Sequence, residues 1–299
     1  MKKKVLVTGG TGFIGQHLVN RLVSLNHQVS IIDDLSASKK NNLSKKVKFI
    51  KFKIQDPKLN NLIKSIKPEV IFHLAAENSV SSLASKTLTS NVIGTYNLLN
   101  AAKNNQVKHF IFTSSAAVYG DSKTFPITET HPTKPISSYG ISKLTSELHL
   151  KLFQDHFKTT IFRFANVYGP GQNSSSEGGV VAIFIKQLLS NQKPFIYGDG
   201  HQTRDFVYVS DVVDALVKSL DKPTNTTLNI GSNTKISILD LLKTIAKLLD
   251  KPVNIINKPK RPIEIERSLF DFKLAKKILN WQPKISLVQG LTEIINSLK

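Results

Sequence analysis

Tyr139-Gly140-Ile141-Ser142-Lys143 places a phenol and an ammonium four residues apart. On a helix that spacing puts both side chains on one face, a turn apart. An ammonium beside a phenol favours the phenolate and draws its pKa from about 10 toward neutral. A phenolate can take the proton of a sugar or alcohol hydroxyl while hydride leaves the same carbon. A hydroxyl donor at the end of the preceding strand would complete the set, and Ser114 and Ser115 stand there. Tyrosine occurs six times and lysine 36 times, so roughly one such pair is expected by chance alone. Tyr119 and Lys123 form the second match. Tyr119 runs into Gly120-Asp121-Ser122 and then Pro126, which reads as a loop whose spacing aligns nothing. Tyr139 instead opens an amphipathic stretch, Ile141 to Phe157, with Ser137 and Ser138 as candidate caps.

Hydride chemistry needs a carrier, and the N-terminus offers a place for one. Thr8-Gly9-Gly10-Thr11-Gly12-Phe13-Ile14-Gly15 leaves a predicted strand and enters a predicted helix. Glycines at this spacing permit a tight turn, close backbone approach to a pyrophosphate and close packing of helix on strand, and the amides of the helix start supply an anion site. Asp33 ends the second predicted strand 18 residues after Gly15. A carboxylate there accepts bonds from adenosine ribose hydroxyls and repels a 2′-phosphate. No Lys or Arg follows within five residues, so NAD is favoured over NADP.

The elements that must position these groups follow a simple rhythm. Short apolar runs at Lys4–Thr8, Gln28–Asp33, Val47–Phe52, Glu69–Leu74, His109–Ser114 and Thr159–Phe164 read as strands. Between them Phe13–Val23, Leu59–Ile66, Ser79–Asn104 and Tyr139–Phe157 read as helices. This alternation predicts an α/β Rossmann-type, doubly wound parallel sheet. After about residue 165 the rhythm breaks at Gly169-Pro170-Gly171 and Gly198-Asp199-Gly200. Helical patterns then run over Asp211–Leu220, Ile238–Leu249, Phe272–Leu279 and Val288–Leu298. The chain therefore divides into an NAD-binding domain over 1–165, to which about 205–230 returns, and a smaller α/β substrate-binding lobe, mainly 166–299.

The formal charge of +20 at pH 7 would suit a nucleic-acid binder. Its make-up does not: lysine is spread along the whole chain, and arginine is confined to Arg21, Arg163, Arg204, Arg261 and Arg267. Polyanion surfaces draw heavily on arginine forks, so neither nucleic acid nor membrane is an expected partner, and each retained arginine is a candidate for fork geometry. The absence of cysteine excludes disulfides and thiolate chemistry. The eight histidines show no ligand-spaced pair beside a carboxylate, so no metal site is expected. With neither a spanning apolar run nor a signal-peptide core, a cytoplasmic location is expected.

These motifs resemble, in order, those of the extended short-chain dehydrogenase/reductases, within the nucleotide-sugar epimerase/dehydratase family. Val7–Gly15, Val70–Ala76, Asn91–Thr95, Ser114–Gly120, Tyr139–Lys143, Arg163–Pro170, Gly198–Phe206, Arg261–Glu264 and Leu279–Pro283 all carry the likeness. Within the family the resemblance is greatest to UDP-glucose 4-epimerases. It implies that Tyr139 is the acid/base, that Ser115 polarises the substrate C4 oxygen, and that Lys143 binds the nicotinamide ribose and tunes Tyr139. It implies that NAD is held by Gly9, Gly12, Phe13, Ile14, Gly15, Asp33, Asp34, Ile54, Leu74, Ala75, Ala76, Asn91, Ser114, Tyr139, Lys143 and Phe164. For the UDP-sugar it implies Ser115, Tyr139, Asn166, Val180, Phe195, Tyr197, Arg204, Arg261 and Glu264. Arg204 and Arg261 match the diphosphate clamps, Glu264 the uridine ribose contact, and Phe195 and Tyr197 the uracil-binding strand. Relatives of this kind also imply a homodimer, packed through the long helices after Asn78 and from Tyr139.

Residues at three places refine this picture. Sugar-nucleotide dehydratases resemble one another in an acidic residue after the catalytic Ser or Thr. Ala116 and Ala117 stand there and transfer no proton, which points to epimerisation. Lys53 stands where many relatives place an Asp against adenine, and Asp56 is a substitute. Ser268 stands where glucose/galactose-restricted epimerases tend to carry a bulky Tyr, leaving room for an N-acetyl group. The sequence leaves open a UDP-glucuronate, GDP- or dTDP-sugar enzyme, and a non-catalytic NAD(H)-sensing or RNA-binding protein on the same fold.

Overall fold

The computed structural model describes residues 2–36, 43–77, 84–174, 179–261 and 264–298. Its strands are β1 (Lys4–Thr8), β2 (Gln28–Asp33), β3 (Lys48–Lys51), β4 (Val70–His73), β5 (His109–Ser115), β6 (Lys158–Phe164), β7 (Asn166–Tyr168), β8 (Phe195–Tyr197), β9 (Thr203–Tyr208), β10 (Thr226–Ile230), β11 (Lys235–Ser237) and β12 (Ile256–Lys258). Its α-helices are α1 (Phe13–Ser24), α2 (Leu59–Ile66), α3 (Ala84–Thr87), α4 (Gly94–Asn104), α5 (Ser138–Leu152), α6 (Val180–Leu189), α7 (Val209–Ser219), α8 (Ile238–Leu248), α9 (Lys273–Leu279) and α10 (Leu287–Ser297). Seven strands make one sheet in the order β10-β6-β5-β4-β1-β2-β3, and every pair in it is parallel.

The predicted α/β Rossmann-type fold is what the chain adopts. β1 and β4 are apolar without alternation because both sheet faces are covered. Leu18 and Leu22 of α1 share one core with Val212 and Leu216 of α7. Leu59 and Ile63 of α2, Leu98 and Leu99 of α4 and Leu150 of α5 fill the other. A third core joins α6, α8 and α10 with Tyr168, Phe206 and Tyr208. β10 returns late in sequence to the sheet edge, pairing with β6 from Thr226↔Thr160 to Ile230↔Phe164.

Two helices differ from the expectation. Of the predicted helix Ser79–Asn104, residues 79–83 lie outside the described ones, as does Asn78. The rest is broken by a π-helical turn, Leu88–Ile93. That turn swings Asn91 inward, 2% exposed, and such turns recur where a helix serves a site. α5 stops at Leu152, five residues short of the predicted end. Phe157 folds back to stack on Phe110, ring centroids 5.8 Å apart, and on Phe153 at 6.0 Å, so aromatic burial outweighs continued helix. α6 was not legible because Val180–Ile185 is apolar all round and shows no helical period.

Candidate active site

The glycine turn joins β1 to α1 as expected. Gly9 sits at φ +71°, and a Cβ there would lie 2.6 Å from the Ala75 backbone nitrogen. A Cβ on Gly15 would lie 2.2 Å from the Gly9 carbonyl oxygen. α1 therefore seats directly on the turn, and Leu74 and Ala75 pack against its other side. No side chain caps α1 at Gly12, which leaves its helix dipole directed at an incoming anion. Asp33 accepts N–H bonds from Thr11 (3.1 Å) and Leu35 (2.9 Å). A carboxylate has about four acceptor positions, so two remain for ribose hydroxyls. A cavity of about 520 Å³ opens beside it, lined by Asp34, Lys51, Phe52, Lys53, Gln55 and Asp56. Lys53 and Asp56 thus share the pocket next to Asp33. These are the features a dinucleotide needs, so the residues present fit NAD.

Asn91 ties two elements of the site together. Its amide oxygen accepts the Glu77 N–H (2.7 Å), and its amide nitrogen donates to the Glu77 carbonyl (2.9 Å) and the Ser142 hydroxyl (2.9 Å). It clasps the loop after β4 to α5. His73, at the end of β4, bonds Thr8 (2.7 Å) and Thr95 (2.8 Å) through its two ring nitrogens. Burial, aided by the Lys143 charge, pushes its pKa down to about 3, so it is neutral. Ile54 is buried against Gly94, and Phe164 closes β6.

At the carboxyl end of β5, Tyr139, Lys143 and Ser115 converge. Ser137 caps α5, its hydroxyl accepting the Gly140 N–H at 3.1 Å. Lys143 is 3% exposed, donates to the Thr113 carbonyl at 2.7 Å and lies 5.9 Å from the centre of the Tyr139 ring. Burial lowers its pKa to about 7, with the Glu147 charge opposing. Contrary to the downward shift expected from the Tyr139/Lys143 spacing, the Tyr139 pKa lies above its ordinary value, because burial of the phenol outweighs the lowering by the Ser115 hydroxyl. Ser115 further accepts the Ala117 N–H at 3.2 Å, capping the short turn Ala116–Val118. Tyr119 turns into the core and donates to Asn229 at 2.7 Å, while Lys123 pairs outward with Asp121. The second Tyr/Lys match therefore aligns nothing.

The lobe carries the substrate candidates. Phe195 and Tyr197 lie on one face of β8 with ring centroids 5.7 Å apart. Lys258 stands 4.0 Å over the Phe195 ring and the Arg261 guanidinium 4.1 Å over Tyr197. Arg204 donates to its neighbour's carbonyl, Thr203 O, at 3.0 Å and to Glu264 at 3.4 Å. Asn166 is exposed on β7, and Val180 begins α6. Pro262 and Ile263, part of the Arg261–Glu264 motif, lie outside the described residues. Beneath Tyr139 and Lys143 lie Glu147, which no sequence pattern singles out, and Arg163, expected only as one of five arginines retained for fork geometry. The one available signal was a buried-strand arginine, Arg163, in a chain with only five. Among the described residues no group of three His, Asp or Glu could hold a metal ion, and no helix is long and apolar enough to cross a membrane.

Known proteins share this fold and much of this sequence. The profile of the NAD dependent epimerase/dehydratase family matches residues 5–231. A UDP-glucose 4-epimerase of Mycolicibacterium smegmatis is 38% identical, over 98% of this chain and 97% of its own. The crystal structure of a Thermotoga maritima UDP-glucose 4-epimerase with UDP-glucose superposes with a TM-score of 0.96 at 37% identity, covering 98% of each chain. A UDP-N-acetylglucosamine 4-epimerase from Methanobrevibacter ruminantium, in complex with UDP-N-acetylmuramic acid, gives 0.93 at 33%, covering all of both.

Proposed function

Because the chain belongs to the NAD dependent epimerase/dehydratase family, we propose that it is a nucleotide-sugar 4-epimerase interconverting UDP-glucose and UDP-galactose. The observation that carries this reading is local. Tyr139 and Ser115 meet at the end of β5, and Ala116 and Ala117, beside them, can transfer no proton. Expelling a C6 hydroxyl needs a second acid and base, whereas epimerisation at C4 needs one shared group. Tyr139 takes the C4 hydroxyl proton and later returns it to the same oxygen. Ser115 donates to that oxygen and holds it against the phenol. Lys143 lies along the same helical face, and its ammonium favours the phenolate. NAD, held by the glycine turn and Asp33, would supply the acceptor and donor for the C4 hydride, so that the 4-keto sugar could be reduced again from its other face. Arg204, Arg261 and Asn166 grip the diphosphate while the hexose turns, and a planar guanidinium suits that grip. Glu264 holds the uridine ribose, with the base against Phe195 and Tyr197.

The same reading extends to 2-N-acetyl sugars. Ser268 is 5% exposed, and its hydroxyl finds no partner among the described residues. A small residue with a spare polar atom suits an added acetamido group. Incubation with a panel of UDP-, GDP- and dTDP-sugars, followed by separation of products, tests both parts. UDP-galactose and UDP-glucose should interconvert, with the UDP-N-acetylhexosamines following. Turnover of GDP- or dTDP-sugars alone would overturn the assignment, and inert N-acetyl sugars would remove the extension.

A homodimer is part of the proposal. Ile141, Leu148 and Leu152 on α5 are 50%, 53% and 73% exposed, beside Ile93 and Tyr96 at 50% and 44%. Contiguous apolar surface of this kind marks an interaction face. Leu148→Glu combined with Leu152→Glu should give a monomer by light scattering. A persisting dimer would place the contact elsewhere.

A further inference from the structure

We propose that Glu147 is a positioning residue of the catalytic helix, fixing α5 against the end of β5 and, with Arg163, setting the field around Tyr139 and Lys143. The proposal rests on the reading of Tyr139 as the acid/base.

The geometry is a ladder. Tyr139, Lys143 and Glu147 follow one another at intervals of four along α5, so they share a face. Each meets a different residue at the end of β5. Tyr139 lies beside the Ser115 hydroxyl. Lys143 donates to the Thr113 carbonyl at 2.7 Å. Glu147 accepts the Ser114 hydroxyl at 2.5 Å. Thr113 and Ser114 are thereby bonded to two successive turns of one helix, and the axial position of Tyr139 beside Ser115 follows from those two rungs.

The last rung is anchored across the sheet. Arg163 grips Glu147 with both arms of its fork, Nε to Oε1 at 3.0 Å and Nη2 to Oε2 at 2.6 Å. Its Nη1 donates to the Tyr119 hydroxyl at 2.8 Å, which donates in turn to Asn229 at 2.7 Å. Ser114, Arg163 and Asn229 sit in register on β5, β6 and β10. Glu147 is 1% exposed and Arg163 6%. A buried ion pair contributes little net stability over well-packed apolar residues of similar volume, so its value here lies in where it holds things.

The pair also bears on charge. Lys143 faces Tyr139 and Glu147 on its own helix, neutral His73 on β4 and the Phe112 ring on β5, 4.8 Å away. Arg163 faces Glu147, Tyr119 and Glu129, whose carbonyl is 3.4 Å from Nη1 and whose carboxylate accepts the Asn229 N–H at 2.7 Å. Glu147 is thus the nearby anion that stabilises the Lys143 ammonium, and Arg163 offsets that anion. Removing the anion favours loss of a proton from both Lys143 and Tyr139. Removing the guanidinium does the reverse.

The test uses NAD-loaded protein with Glu147→Gln, Arg163→Met and both together. Glutamine keeps an acceptor for Ser114 but no charge. Tyrosine ionisation is followed by ultraviolet absorbance, with Tyr139→Phe as the blank. Burial raises the pKa of Tyr119 to about 12, and holds Tyr168 and Tyr208 well above the ordinary value; Tyr139 is raised too, so the difference from the Tyr139→Phe blank isolates its titration. The apparent pKa of the Tyr139/Lys143 pair should fall by about one unit in Glu147→Gln and rise by about one in Arg163→Met. The double variant should return close to wild type. The pH profile of kcat should move in the same directions. A role in stability alone would lower thermal midpoints and leave these values in place, which would overturn the field argument. Glu147→Asp keeps the charge but shortens the rung, and serves where the neutral variants do not fold. It should lower kcat about tenfold at unchanged KM and unchanged apparent pKa. An unchanged kcat would overturn the register argument. If wild type turns over no sugar nucleotide, the functional reading fails, and the absorbance titration still decides this one.

Discussion

Replacing Tyr139 with phenylalanine is expected to cut kcat about 10²–10⁴-fold, the range for loss of a general acid/base, while nucleotide-sugar binding stays nearly unchanged. The argument is one of position. The phenol is the titratable hydroxyl that meets Ser115, and Lys143 lies one turn along the same helix. Phenylalanine keeps the ring and its packing, so the Gly140 cap and the Lys143 bond to Thr113 survive. The proton then has no acceptor at the C4 oxygen. Kinetics should show kcat and kcat/KM falling together, because the lost interaction is made in the transition state. The pH profile adds a second check. In wild type, turnover should rise with pH as the phenol gives up its proton. That rise should vanish from the residual rate of the variant. A near-normal rate would move the acid/base role to another group, and the 4-epimerase assignment with it.

What could be read in the chain before its structure follows the range of the contacts involved. The Tyr139/Lys143 pairing needs only the helical period, and the glycine turn with Asp33 spans a single βαβ unit. Both were legible, as were the seven-strand sheet's first six members, each an apolar β-branched run. Lys143 and Ser115 could be joined because the β5–α5 order of a doubly wound sheet puts strand end and helix start together. Glu147 and Arg163 lie 16 residues apart, on a helix and a strand whose register no local pattern reveals. The resemblance marks Asn91 as a cofactor contact, whereas its bonds to Glu77 and Ser142 were not legible. The π-helical turn that aims it at Glu77 has no simple sequence signature. Arg261 was expected at a diphosphate and rests on Tyr197, 4.1 Å above the ring.

Gly15→Ala should abolish retention of NAD, and the reason lies in backbone atoms that cannot step aside. An added Cβ would lie 2.2 Å from the Gly9 carbonyl oxygen and 2.8 Å from the Gly10 Cα. Neither neighbour is a flexible side chain, so α1 must lift from the turn or the turn must deform. Lifting α1 opens the core where Leu18 and Leu22 pack, and overpacking of this kind costs about 1–3 kcal/mol. Deforming the turn moves the helix N-terminus that receives the pyrophosphate, so affinity falls even where the fold survives. Gly12→Ala separates these effects. Its Cβ would meet only the Gly9 oxygen, at 3.3 Å, and Gly12 has an ordinary φ of −70°. That variant should keep close to the wild-type thermal midpoint and lose NAD only through direct crowding of the pyrophosphate. Released NAD, measured by chromatography after denaturation, together with thermal melts, distinguishes the outcomes. Gly15→Ala protein that co-purifies with a full complement of NAD would show that α1 does not hold the cofactor through this turn. The dinucleotide would then have to be held mainly from the Asp33–Asp34 pocket.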